Sequence, residues 1–293
     1  MSADSNYDYS TAAELLALCE AEKISIGELA IRRECRISGE SRECVFEKMR
    51  THFRTMRESV KRGLEIATLS PSGLSGGDAQ KILNFANAEN SLLGANLTRL
   101  VAYGYAVLET NAQFGRIVAT PTAGSAGIVP ACLTLLEETR GIDEDTLTRA
   151  LFCAAGIGVV ITTNAFIAGA QGGCQAEVGS ASCIAAAALV EALGGSPERC
   201  CAAGTFALIN TLGLVCDPIG GFVEVPCVSR NGMFAVHSFL AATLALAGVS
   251  PRVSLDDAIF AMRDIGRRMP RELKETSLGG LAISPGACAR CRS

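Results

Sequence analysis

Three cysteines in this sequence sit where thiols can be turned toward one point. Cys174 follows Gly172-Gly173, Cys216 precedes Asp217-Pro218-Ile219-Gly220-Gly221, and Cys227 follows Pro226 in the run Val225-Pro226-Cys227-Val228-Ser229-Arg230-Asn231. Glycine and proline break helices and free the backbone, so these thiols are expected on loops. The spacing, C-x41-C-x10-C, is too open for a zinc finger or a ferredoxin-type run, and a shared metal site would have to be assembled by the fold. Three thiolates on a [4Fe–4S] cubane leave one iron without a protein thiolate, able to act as a Lewis acid, whereas four favour electron transfer or structure. On the residues alone, a three-cysteine metal site and three unrelated loop thiols both stay open. The tail pair Cys288 and Cys291 offers a fourth thiolate, a redox pair, or incidental thiols at a frayed end. The other eight cysteines, Cys19, Cys35, Cys44, Cys132, Cys153, Cys183, Cys200 and Cys201, lie in helix-like surroundings, where cysteine behaves as a small hydrophobe.

A second constellation runs Ala119-Thr120-Pro121-Thr122-Ala123-Gly124-Ser125-Ala126-Gly127-Ile128-Val129-Pro130, followed by a helical pattern to Thr139. Hydroxyl residues and glycines at a helix entrance expose backbone N–H groups suited to a carboxylate or phosphate, and a tight structural turn has the same composition. A third Gly-rich piece, Ser70 to Ala79, precedes a helix that Asp78 is placed to cap, or serves as a linker. Histidine is scarce: His52 lies in a charged helix, and His237 follows Cys227 by ten residues, either facing the same site or packed in the core.

Elements that position these residues are expected to be helices. Of 293 residues, 49% are hydrophobic and 19% charged, enough for a compact chain with a sizeable core. Residues 1–69 form a charged helical N-terminal region, with Leu15, Leu16, Leu18, Val45, Phe46 and Met49 as apolar stripes. Residues 70–293 form the region carrying the motifs, continuous with the first. Between residues 150 and 250 the only charges are Glu177, Glu191, Glu198, Arg199, Asp217, Glu224 and Arg230, which marks an interior. The Ala-rich runs 182–191 and 241–248 favour helices in close contact. The most apolar window, 151–171, is interrupted by Thr162, Thr163 and Asn164 and lacks basic flanks, so a buried helix is expected over a membrane span. The expected fold class is all-α, with Gly-rich and Pro-rich connections.

Partners and setting follow from charge and cysteine usage. With 26 basic against 30 acidic residues the net charge is −4, which disfavours nucleic acid as a partner. Met1 to Ser10 carries no basic stretch followed by an apolar run, so a cytoplasmic, reducing setting is expected, in which thirteen cysteines are not a disulfide framework. The lysines are Lys23, Lys48, Lys61, Lys81 and Lys274, none in the apolar middle where a pyridoxal phosphate Schiff base would be expected.

The motifs taken together resemble the alpha chain of bacterial iron–sulfur L-serine dehydratase, also called L-serine ammonia-lyase. The resemblance runs from about Ser70 to Ala282 and rests on SPSGLSGGDAQK (70–81), ATPTAGSAGIVPA (119–131), GGCQAEVGSAS (172–182), CDPIGGFVEVPCVSRN (216–231) and LGGLA (278–282). It implies conversion of L-serine to pyruvate and ammonia, in amino-acid catabolism and gluconeogenesis, on a [4Fe–4S] cluster rather than pyridoxal phosphate. By the same resemblance, the cluster ligands are Cys174, Cys216 and Cys227, and Thr122, Gly124 and Ser125 hold the substrate carboxylate. The family's Ser-Ser-His-Thr motif does not occur in this sequence, which implies a separate beta chain. No motif assigns the base; His237, Glu177 and Glu224 are the candidates within the chain. Two rivals are an L-cysteine desulfidase on the same scaffold and a non-catalytic iron–sulfur sensor or electron carrier.

Overall fold

The computed structural model describes residues 7–86 and 91–290, without the side chains of 288–290. Cys291 and the Cys288 thiol therefore lie outside the described residues. Thirteen α-helices make up the described chain, and no strand occurs among its residues: α1 (Ala12–Glu22), α2 (Ile26–Ser38), α3 (Arg42–Leu64), α4 (Asp78–Ala86), α5 (Gly94–Ala112), α6 (Ile128–Arg140), α7 (Glu144–Asn164), α8 (Gly169–Gly172), α9 (Ser180–Ala192), α10 (Pro197–Ile209), α11 (Cys227–Leu246), α12 (Leu255–Arg268) and α13 (Pro285–Arg290). The fold is all-α, as the sequence predicts.

Local chemistry sets many of the helix starts. Thr11, Ser25, Ser41, Asp143, Ser196 and Ser254 each accept a hydrogen bond from the backbone N–H three residues on, satisfying a donor that the helix leaves free. At α4 the predicted cap is replaced. The N–H groups of Gly77, Asp78 and Ala79 donate to the buried Glu109 carboxylate of α5, while Asp78 pairs outward with Lys81. A carboxylate at a helix N-terminus also meets the positive end of the helix dipole.

Helix α9 is the axis of the packing, in contact with α6, α7, α10 and α11. Ala185, Ala186, Ala187 and Ala188 on it are fully buried, so the Ala-rich run lets neighbours approach on all sides. A second close approach joins α5 to α11: a Cβ on Gly104 would come within 2.7 Å of the Gly232 backbone, so only glycine permits it. Helix α7 is long and apolar enough to cross a membrane, yet 61% of its most apolar window is buried against the protein, packed on α2 and α9.

Residues 1–69 join the same core as the rest. Leu15, Ile26, Leu29, Phe53, Met56 and Val60 are all buried in one hydrophobic cluster with Leu133, Ile157 and Leu189. Much of the charge on α3 is met within the chain: Arg54 and Arg57 pair with Glu144 at 2.9 and 2.5 Å, Arg57 with Glu137 at 2.7 Å, and Arg50 with Asp145 at 2.7 Å. Of the eight helix-borne cysteines, six are buried, whereas Cys35 is half-buried and Cys44 is exposed on the charged face of α3, outside the core expected for it.

Candidate functional site

Four chain segments that break helical regularity converge beside the start of α9. Cys174 lies between α8 and a single π-helical stretch, Gln175–Gly179, a geometry uncommon outside functional sites. Glu177, three residues on, lies within that stretch. Cys216 lies on an extended segment paired with the chain near Lys274: its N–H donates to Leu273 O at 2.9 Å and its carbonyl accepts from Glu275 N–H at 2.7 Å. Cys227 is the first residue of α11. All three thiols are buried.

Glu177 links the segments. Its Oε1 accepts from Thr122 Oγ1 at 2.6 Å, and the Cys216 thiol lies 3.7 Å from its Oε2 and within hydrogen-bond reach of the Cys174 sulfur. Glu275 joins Glu177 and Cys216, with ligand atoms from the three within 4.8 Å of one another. The backbone at Gly169 comes so close that a Cβ there would meet Glu177 Oε2 at 2.6 Å and Cys216 Sγ at 2.8 Å. Burial raises the Glu177 carboxyl above the usual carboxylate range, against the pull of Thr122. The hydrogen bond from Cys216, with help from the Arg230 guanidinium, holds the Cys174 thiol below the usual range; the same pairing and burial push Cys216 up. Cys227 is pushed to about 12 by burial.

Arg230 is fixed as the cation of this cluster. Its Nη1 donates to Val215 O at 2.9 Å and its Nη2 to Asp217 Oδ1 at 3.1 Å, while Asp217 Oδ2 accepts from Leu281 N–H at 2.8 Å. The 278–282 motif is thereby tied to the Cys216 loop. Asn231, fully buried, joins the remaining loop: Nδ2 donates to Gly124 O and Cys227 O, each at 2.8 Å, and Oδ1 accepts from Gly127 N–H at 2.8 Å. Gly124 and Ser125 are buried on that loop, and Thr122 Oγ1 lies 3.2 Å from Ser125 Oγ. Sequence reasoning did not single out Arg230, Asn231, Asp217 or Glu275. The first three lie within the 216–231 motif, but only their long-range partners give them roles.

Two of the three base candidates are engaged by other partners. Glu224 accepts from Ser70 Oγ and Ser72 Oγ at 2.6 Å each and also from Ser75 Oγ, so both its oxygens clamp the 70–77 loop onto the Cys216–Cys227 loop. The Gly-rich piece is thus a docked structural loop. His237 contacts Ala207 O of α10 at 2.9 Å. At 1.5 Å per residue it lies about 15 Å along α11 from Cys227. Of the three, Glu177 is the one in contact with the Cys216 thiol.

These features define a helical protein with a buried, polar, thiol-rich centre built from loops. The chain belongs to the serine dehydratase alpha chain family, whose description matches residues 21–282. It is similar to the probable L-serine dehydratase alpha chain of Bacillus subtilis, 45% identical over 93% of this chain and 90% of that one. The L-serine dehydratase alpha chain of Peptoniphilus asaccharolyticus is 41% identical over 94% of both chains. L-serine dehydratase 1 of Escherichia coli is 38% identical over 94% of this chain but only 62% of its own longer one.

Proposed function

We propose that this chain is the cluster-bearing chain of an L-serine dehydratase, a lyase that converts L-serine to pyruvate and ammonia. The observation that carries the reading is the meeting of Cys174, Cys216 and Glu177 with the 120–127 loop, which Asn231 ties to Cys227 at the start of α11. Three buried thiols on three separate segments, with one pulled toward the thiolate and a fixed guanidinium beside it, fit an iron–sulfur cluster in donor type and number. A [4Fe–4S] cluster held by these three residues supplies, when bound, an iron lacking a protein thiolate as a Lewis acid toward the serine hydroxyl.

The chain's own residues have distinct tasks in this reading. Thr122, Ser125 and the backbone at Gly124 receive the substrate carboxylate, as hydroxyls and N–H groups at a helix entrance suit an anion. Asn231 holds that loop against α11, and so keeps the carboxylate at a fixed distance from Cys227. Glu177, placed between Thr122 Oγ1 and the Cys216 thiol, delivers a proton from its carboxyl to the departing hydroxyl, which leaves as water. The α proton goes to a base supplied by a separate beta chain. The aminoacrylate so formed tautomerises to an imine, and water then gives pyruvate and ammonium.

The experiment is anaerobic co-purification with a beta-type chain, followed by iron and sulfide analysis and assays on L-serine and L-cysteine. Pyruvate from serine, proportional to iron content, is expected. Sulfide release from cysteine outpacing it would transfer the reading to a desulfidase.

A further inference from the structure

A second thiol-rich site lies away from the one described above, where α7, α9 and α10 meet the entrance of α2. Along the chain from Glu177 to Glu191, at the far end of α9, the helical rise amounts to roughly 20 Å. Cys153 and Cys200 are fully buried there, and one ligand atom from each lies within 4.8 Å of the other and of a Glu191 carboxylate oxygen. Glu191 Oε1 is held by Ser25 Oγ at 2.5 Å and Gly27 N–H at 2.9 Å. Its Oε2 is buried without a hydrogen-bond partner, and the Ile26 N–H and the Cys153 thiol also lie close to the carboxylate. A buried carboxylate oxygen left in this way is costly, and a cation relieves it.

We infer that Cys153, Cys200 and Glu191 form a binding site for a thiophilic divalent cation of the size of zinc, separate from the catalytic centre. Zinc–sulfur and zinc–oxygen bonds of about 2.3 and 2.0 Å place tetrahedral ligand atoms roughly 3.5–4 Å apart, a spread the three residues reach by small side-chain rotations. Two thiolates select zinc over magnesium or calcium. On binding, each thiol gives up its proton as its sulfur bonds the metal, so two protons go to solvent. The centre then carries one net negative charge, facing the positive end of α2. Water takes the fourth position on the half-buried side of Glu191.

The test uses the full chain, purified anaerobically with its iron, dialysed against zinc and then washed with chelator. Zinc and iron are measured in the same sample. One zinc per chain is expected, and the zinc K-edge should show two sulfurs near 2.3 Å with lighter atoms near 2.0 Å. Cys153→Ala, Cys200→Ala and Glu191→Gln should each weaken zinc binding at least tenfold with iron content unchanged; in Glu191→Gln the amide oxygen still accepts from Ser25 and Gly27. Zinc absent from the parent would overturn the inference, as would undiminished zinc in these variants or a zinc shell with no sulfur or more than two. Loss of zinc in Cys174→Ala would equally overturn it, since the metal would then belong to the other thiols. The edge spectrum is recorded on the parent, so a variant that fails to fold does not remove the test.

Discussion

A single carboxylate, Glu177, touches more of the proposed chemistry than any other side chain, because it lies between the Thr122 hydroxyl and the Cys216 thiol. Glu177→Gln keeps the shape and an acceptor for Thr122 but has no proton to deliver. It should lower kcat on L-serine by roughly 10²-fold or more, the usual range for a general acid, with iron content unchanged; equal turnover would remove Glu177 from the mechanism. The thiols make a sharper comparison. Cys174→Ser, Cys216→Ser and Cys227→Ser should each abolish bound iron and sulfide, whereas Cys183→Ser, on the buried face of α9 against Gly204, should retain both. Iron analysis decides between them. The setting of the three thiols is legible in the sequence because glycine and proline mark their loops. The serine clamp on Glu224 was not, since its partners Ser70, Ser72 and Ser75 lie about 150 residues away. His237 illustrates the opposite error: ten residues looks close in sequence and is about 15 Å along a helix.

Whole elements are held in place by a few polar residues whose loss should register in stability. Asn231→Ala leaves the Gly127 N–H and the Gly124 carbonyl without their side-chain partner. It should cost about 2–3 kcal/mol in chemical denaturation and reduce iron retention, since α11 and the 120–127 loop would separate beside Cys227. A small effect on both would mean that packing alone sets this junction. Between α3 and α7 the attraction is electrostatic. Glu144 is held below its ordinary value of 4.5, first by its hydrogen bonds with Arg54 and then by the charges of Arg57, Arg54 and Arg50. Its folded value is depressed, so the unfolded chain binds more protons in the window just below 4.5. The stabilisation is complete above that value and is lost as pH falls through the folded one. Glu144 is partly exposed, so Glu144→Gln should cost only about 1 kcal/mol near neutral pH, and the difference from the parent should close in acid, as read by urea unfolding at a series of pH values. The helices were legible from apolar stripes and Ala-rich runs. The cap of α4 was not: Asp78 has the right type and position, yet Glu109, thirty-one residues on, takes the donors.

At the scale of the whole molecule, the open question is whether this chain closes its own site. The family description accounts for residues 21–282, and this chain matches only 62% of the length of the similar Escherichia coli protein. Removing the α proton of serine requires a base within hydrogen-bond distance of it. Of the three base candidates in this chain, Glu224 is clamped by serines, His237 is turned to α10, and Glu177 is held between Thr122 Oγ1 and the Cys216 thiol. His52 lines a cleft with Arg33, Glu34 and Lys48, between α2, α3 and α7, that Cys174, Cys216 and Cys227 do not line. The α3 arginines Arg50, Arg54 and Arg57 are engaged by Glu137, Glu144 and Asp145 within the chain. The pure chain, loaded with cluster, should therefore bind L-serine without forming pyruvate above about 1% of the rate restored by an equimolar beta chain, a loss in the range removal of a general base produces. Measuring pyruvate at fixed iron content while titrating the beta chain separates the two possibilities. Saturation at one beta chain per alpha chain is the expected result, and full turnover without it would return the base to this chain, with Glu177 or Glu275 as the residue to substitute next.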